Sequence, residues 1–170
     1  MQYIDSMFEV LVYVYENYWR GDACPDAQHL ERKLSSVGFE SEDILQALDW
    51  LDGLRLASQE IKWHADDAQA PAHAAVLPAA TSMRIYTQAE LDHLGAQALG
   101  FITFLADSNV LHPAMRELVL DRAMAAPGGP VSLDDLKIIV LMVYWRFGEE
   151  PDALVLDELC DVATLDRVAH

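Results

Sequence analysis

From Ile138 to Trp145 the chain runs through eight apolar or aromatic residues without interruption, bracketed by Lys137 and Arg146. The run is well short of the roughly 18 residues a membrane-spanning helix requires. Ser132-Leu-Asp-Asp135, just upstream, has the pattern of a helix N-cap, with a hydroxyl placed to accept from a backbone amide and acids in the first turn. The run therefore reads as part of a helix through Phe147, and it offers no polar strip on any side. A helix apolar all round must be surrounded. Either it forms the centre of a bundle, or a partner or second copy completes its burial. Trp145 is the residue to place nearest such a partner surface, since tryptophan is enriched at binding hot spots. Trp19, at the edge of another apolar stripe, is the second candidate.

The remaining elements can supply that cover. Met7, Val10, Leu11, Val14, Tyr15 and Tyr18 recur at helical spacing, widened by Phe8, Val12 and Trp19, with Glu9, Tyr13, Glu16 and Arg20 as the polar strip. Gly21 ends that helix. A second opens near Pro25 and Asp26, turns Leu30, Leu34 and Val37 inward, and stops at Gly38, with Phe39 packing back across the turn. Ser41 is expected to cap a third helix that buries Ile44, Leu45, Ala47, Leu48, Leu51 and Leu54. Residues 7–56 thus form a three-helix unit whose last two helices meet as in a helix-turn-helix.

Residues 57–82 change character. HADDAQAPAHAAVLPAAT holds alanine and proline with little to bury, which is linker chemistry. The flanking SQEIKW and SMRIYT each alternate briefly, leaving room for a two-stranded ribbon that would make the unit winged. Residues 83–170 return to helices. Thr87-Gln-Ala-Glu90 is a capping box opening a long helix, with Leu91, Leu94, Ala98, Phe101, Ile102 and Leu105 inward. Pro113 begins another, carrying Met115, Leu118, Val119 and Ala123, which PGGP at 127–130 terminates. A last short helix from Asp152 carries Leu154, Leu156 and Leu159. The expected class is all-α: a helix-turn-helix-like N-terminal unit followed by a C-terminal helical bundle segment.

In order, MFEVLVYVYENY, LERKLSSVGF, ILQALDWL, SMRIYT, ELDHLGAQALGFITFL, MRELVLDRAMA and LDDLKIIVLMVYW resemble the Smg family of small bacterial proteins. The resemblance runs from Met7 to about Arg146 and departs mainly at 64–81 and at the extreme N-terminus. It implies a bacterial cytoplasmic protein of a family without an established activity, whose genes often lie beside one for a DNA-processing protein. It supplies no functional residue.

Charge narrows the functions. Of 170 residues, 28 are acidic and 11 basic, a net charge of −17, while 52% are apolar. That composition suits a folded core and opposes general nucleic-acid binding, because phosphate affinity comes from Lys and Arg displacing counterions. The helix in the recognition position, 41–56, holds Glu42, Asp43, Asp49 and Asp52 against Arg55. The excess is not confined to a tail: residues 1–56 carry 11 acids against 4 bases, and 83–170 carry 14 against 6. Arg84, Arg116 and Arg122 each have acidic neighbours and read as structural ion-pair members.

Other chemistry finds little footing. The N-terminus lacks a signal peptide's basic region, and Met7 is an alternative start that would make 1–6 an extension. Cys24 and Cys160 make no disulfide framework, which favours a reducing, cytoplasmic home. No phosphate-binding glycine loop or nucleophile elbow occurs, so no catalytic or cofactor-binding residue is assigned. The leading expectation is a non-enzymatic protein-interaction module, adaptor or regulator, with self-association open and no membrane or cofactor. The alternative is a winged-helix nucleic-acid-associated protein linked to DNA processing. Cys24 and His29, with Asp22 nearby, supply one metal-ligand pair where a structural zinc site needs four ligands. Metal analysis of protein purified without a histidine tag is expected to find no stoichiometric zinc, and one equivalent would overturn that assignment.

Overall fold

Local signals in the sequence set most of the helix ends. The computed structural model describes residues 6–18, 26–66, 85–148, 151–155 and 157–159, with backbone alone at 6 and 60–66. It is all-α: α1 (Ser6–Asn17), α2 (Ala27–Val37), α3 (Ser41–Asp66), α4 (Gln88–Asp107), α5 (Pro113–Met124) and α6 (Leu133–Phe147). Short helical turns follow at 153–155 and 157–159. At the start of α4 the Thr87 hydroxyl accepts from Glu90 N–H at 3.2 Å, and the Glu90 carboxylate accepts from Thr87 N–H at 2.8 Å. The Ser132 hydroxyl accepts from Asp135 N–H at 3.1 Å to open α6. Pro113 opens α5, where its missing N–H costs no helical bond. Gly38 closes α2 at φ 110°, a left-handed conformation open to glycine without the Cβ penalty.

Helix α6 occupies the centre and touches α1, α3, α4 and α5. Ile139 through Tyr144 are all buried, as is Leu136. Buried Asp135 and Lys137 sit in its first turns. Burying a side chain of the Leu, Ile or Val type contributes about 1.5–3 kcal/mol, so this helix supplies a large share of the core. α1 packs on α3 and α6 through Met7, Phe8, Val10, Leu11 and Val14. Both halves of the chain thereby enter one hydrophobic core. Lys137 reaches Glu158 at 3.1 Å and lies 5.8 Å from the Phe101 ring centroid, while Leu159 is buried beside the core. The last described turns are pinned by these contacts.

Several expectations are corrected. α3 does not stop near Leu56 but continues to Asp66, so 57–66 is helix and SQEIKW supplies no ribbon strand. Residues 67–82, most of the expected linker, lie outside the described residues, as do residues 1–5 of the N-terminal extension. Ser41 is the first helical residue and not the cap, since Ile44 N–H donates to the Glu40 carbonyl at 3.0 Å. Val37, Leu45, Leu91 and Leu154 are exposed, whereas Trp50 and Leu99 are buried. Tyr13, assigned to the polar strip of α1, meets Phe39 edge-on at 5.7 Å between centroids. No helix among the described residues is long and apolar enough to cross a membrane.

α4 is also broken by a kink the sequence did not reveal. Gly95 adopts φ 75° and ψ 171°, a conformation essentially confined to glycine. Two helical pieces meet there, and His93 anchors the first by accepting Val131 N–H on its carbonyl at 2.8 Å. Its ring Nε2 lies 3.1 Å from the Ala123 carbonyl oxygen. Gly95→Ala is expected to destabilise the protein by about 1–3 kcal/mol in urea unfolding, although a Cβ there would meet no neighbour. An alanine variant of unchanged or raised stability would show that the kink carries no strain.

Candidate functional site

Helix α3 has two opposed faces. At 100° per residue, Ala47 and Leu54 define its inner line, flanked by Ile44 and Trp50, and all four are buried. Leu45, Asp49, Asp52 and Leu56 fall on the opposite line, at i, i+4, i+7 and i+11. Leu45 is 59% exposed and Leu56 51%. Two leucines thus flank two carboxylates along one solvent-facing stripe. Asp52 is paired with Arg55 at 2.9 Å, and Asp49 makes no ion pair among the described residues.

Beside this stripe α3 is locked to α5 by reciprocal bonds. The Trp50 indole N–H donates to the Arg122 carbonyl at 3.0 Å, and Arg122 Nη1 donates to the Trp50 carbonyl at 3.3 Å. The guanidinium carbon lies 5.9 Å from the centroid of the Trp50 ring, a cation–π distance. Its other edge donates to Asp121 at 3.0 and 2.9 Å. Gly53 makes this approach possible, because a Cβ at that position would stand 2.2 Å from Arg122 Nη1.

The lock leaves a cleft of about 330 Å³ between α3, the end of α5 and the start of α1. Gln46, Asp49, Trp50, Asp52, Gly53 and Leu56 of α3 line it, together with Arg122, Ala125, Pro127 and Met7. None of the lining residues is a cysteine, serine, histidine or lysine. Arg122 is engaged by Asp121 and Trp50 and Asp52 by Arg55, which leaves Asp49 as the lining charge without an ion pair among the described residues. The arrangement provides contact chemistry: apolar surface, an amide and carboxylates.

The residues singled out from sequence fall elsewhere or only partly here. Trp145 is half-buried, and its indole N–H donates to the Tyr18 carbonyl at 3.1 Å, tying the end of α6 to the end of α1. Arg116 is buried and meets Glu117 at 3.2 Å. Arg122 is the one that reaches the cleft. Trp19, Arg84 and Cys24 lie outside the described residues, and His29 is exposed on α2. Among the described residues no three His, Cys, Asp or Glu side chains are grouped to hold a metal. Sequence reasoning places Leu45 on the buried face and misses Trp50, whereas Leu45 is exposed and Trp50 buried. The available signal was that Leu45 shares its line with Asp49 and Asp52, while Trp50 lies within the arc of Ala47 and Leu54.

The sequence profile of a family described as a protein of unknown function (DUF494) matches residues 7–170. A "Protein Smg homolog" of Leptothrix cholodnii is 56% identical over 164 residues, covering 96% of this chain and 100% of the relative. One from Methylibium petroleiphilum is 53% identical over 164 residues with the same coverage. One from Herminiimonas arsenicoxydans is 48% identical over 166 residues, again 96% of this chain and 100% of the relative. No solved structure matches the chain.

A double-mutant cycle tests the lock. Arg122→Ala is expected to lower the unfolding free energy by about 1–3 kcal/mol, as loss of a charged hydrogen-bond donor to a part-buried carbonyl should. Gly53→Ala is expected to destabilise the wild type but to stabilise the Arg122→Ala protein by about 0.5–1 kcal/mol, the ordinary helix gain over glycine. Equal effects of Gly53→Ala in both backgrounds would remove the contact from the account.

Proposed function

The chain belongs to the DUF494 family, which it shares with the Smg homologues, and from that premise we propose that it is a non-enzymatic protein-interaction module, an adaptor or regulator of the bacterial cytoplasm. The observation that carries this reading is the outer stripe of α3 beside the cleft. There, exposed Leu45 and Leu56 lie along a folded helix whose opposite face is fully employed in the core. Exposed leucines set about two carboxylates on one helix face give the mixed apolar and polar chemistry of surfaces that receive another protein. The apolar run of α6, the other candidate interface, is consumed inside the chain. Trp145 retains partial exposure, but its polar atom is already bonded to Tyr18.

The competing reading, direct binding of nucleic acid, draws on the tight turn at Gly38 between α2 and α3. It meets two obstacles. α3 presents Glu42, Asp43, Asp49 and Asp52 where phosphates would approach, and the segment 57–63, which left room for a wing strand, is helical. Fold analogy alone does not outweigh that charge.

A photo-crosslinking residue in place of Leu56, introduced into the full chain in the bacterium, tests the proposal. It is expected to give discrete adducts with another protein, whereas the same residue in place of Leu91 on α4 gives none. Absence of adducts at 56, or equal adducts at both positions, would count against an interaction surface on α3. Adducts with a second copy of this chain would replace the adaptor with self-association. Salt-sensitive DNA binding in a gel shift near physiological ionic strength would restore the alternative.

A further inference from the structure

The stripe on α3 has a composition that specifies its occupant. Leu45 and Leu56 are separated by eleven residues, about 16 Å along the axis at 1.5 Å per residue. Between them, one turn apart, stand Asp49 and Asp52, both exposed. We propose that this stripe binds a basic amphipathic helix from a protein partner, with its leucine-like residues on Leu45 and Leu56 and its Lys or Arg residues on Asp49 and Asp52. The proposal deepens the interaction-module reading and rests on it.

Three observations favour that occupant. Charge is complementary: Asp49 has no ion pair among the described residues, and the Asp52–Arg55 pair is an exposed i,i+3 contact of small value, easily exchanged. Geometry is complementary too, since a partner helix repeats at the same i, i+4, i+7, i+11 spacing and its lysine stems can lie along exposed leucine surface. The cleft beside the stripe, which Asp49 and Leu56 help to line, has room for one long side chain from the same helix. A second copy of this chain fits poorly. A two-fold interface would set the stripe against itself and place Asp49 and Asp52 opposite carboxylates. The overall charge of −17 acts in the same sense, drawing cationic segments in and holding anionic ones off.

Fluorescence anisotropy tests the assignment with the full chain near physiological salt. The probe is a labelled synthetic helix carrying Leu, Lys, Lys and Leu at the stripe spacing, beside a version with Glu for Lys. The Lys peptide is expected to saturate at one equivalent and the Glu peptide not to bind. Asp49→Lys with Asp52→Lys should weaken binding at least about 10-fold, whereas Glu9→Lys with Glu31→Lys, an equal charge change at exposed positions, should weaken it by less than about 3-fold. Leu45→Ser with Leu56→Ser should also weaken it, by about 5-fold or more. All the substituted side chains are exposed, and circular dichroism checks that each variant is folded. Equal losses in the two charge-reversed pairs, unsaturable binding, or capture of the Glu peptide would overturn the assignment. Crosslinks from position 56 without Lys-peptide selectivity would overturn the basic helix and leave the module reading standing. Absence of those crosslinks would overturn both.

Discussion

Helix α6 has no face that tolerates water for two turns, and the arrangement of the other helices follows from covering it. From Ile139 to Tyr144 each successive side chain points about 100° further round, so burial of all six requires neighbours on every side. α1, α3, α4 and α5 provide them. This requirement explains why the N-terminal helices are not a free unit beside the C-terminal ones. α1 and α3 close the part of α6 that α4 and α5 leave open. It also explains the use of polar groups at the seams. The Trp145 indole donates to the Tyr18 carbonyl and the Tyr144 hydroxyl to the Val110 carbonyl, so both polar groups are satisfied by backbone of other segments.

The lock between Trp50 and Arg122 has the same logic on a smaller scale. An arginine with 13% of its side chain accessible must have its donors satisfied, and they are divided between a carboxylate and a carbonyl on another helix. Gly53 supplies the space. Because the guanidinium is turned inward, the surface beside it keeps its acidic character, with Asp49 and Asp52 in water. The acidity of the chain is therefore displayed on the same helix that offers exposed leucine. Solubility alone would place charge anywhere; here it borders apolar surface and a cleft.

Much of the fold was legible from local signals. Thr87, Ser132, Pro113 and Gly38 act within a few residues of themselves, and the capping bonds and the left-handed turn form where those residues stand. That the apolar run of α6 needs cover on every side followed from the run itself, whereas what covers it did not. Less legible were features that depend on a distant neighbour. The kink at Gly95 lies inside a segment whose cap and apolar spacing are those of one continuous helix, and SQEIKW alternates like a strand yet continues α3. Leu45 and Trp50 exchanged roles because seven apolar or aromatic residues within the eleven positions 44–54 define too broad an arc for periodicity to centre. The acids on the outer line were the sharper guide.

By itself, the sequence determined an all-α protein with a helix whose apolar run from Ile138 to Trp145 had to be enclosed, and an acid excess spread along the chain. Those properties depend on side-chain type and short-range spacing. Only the tertiary structure decided that enclosure is achieved within one chain. It also decided that Arg122 crosses to Trp50 over a glycine, and that Leu45, Asp49, Asp52 and Leu56 remain outside. These outcomes turn on which helix packs against which, a matter of long-range shape and volume that no short window of sequence contains.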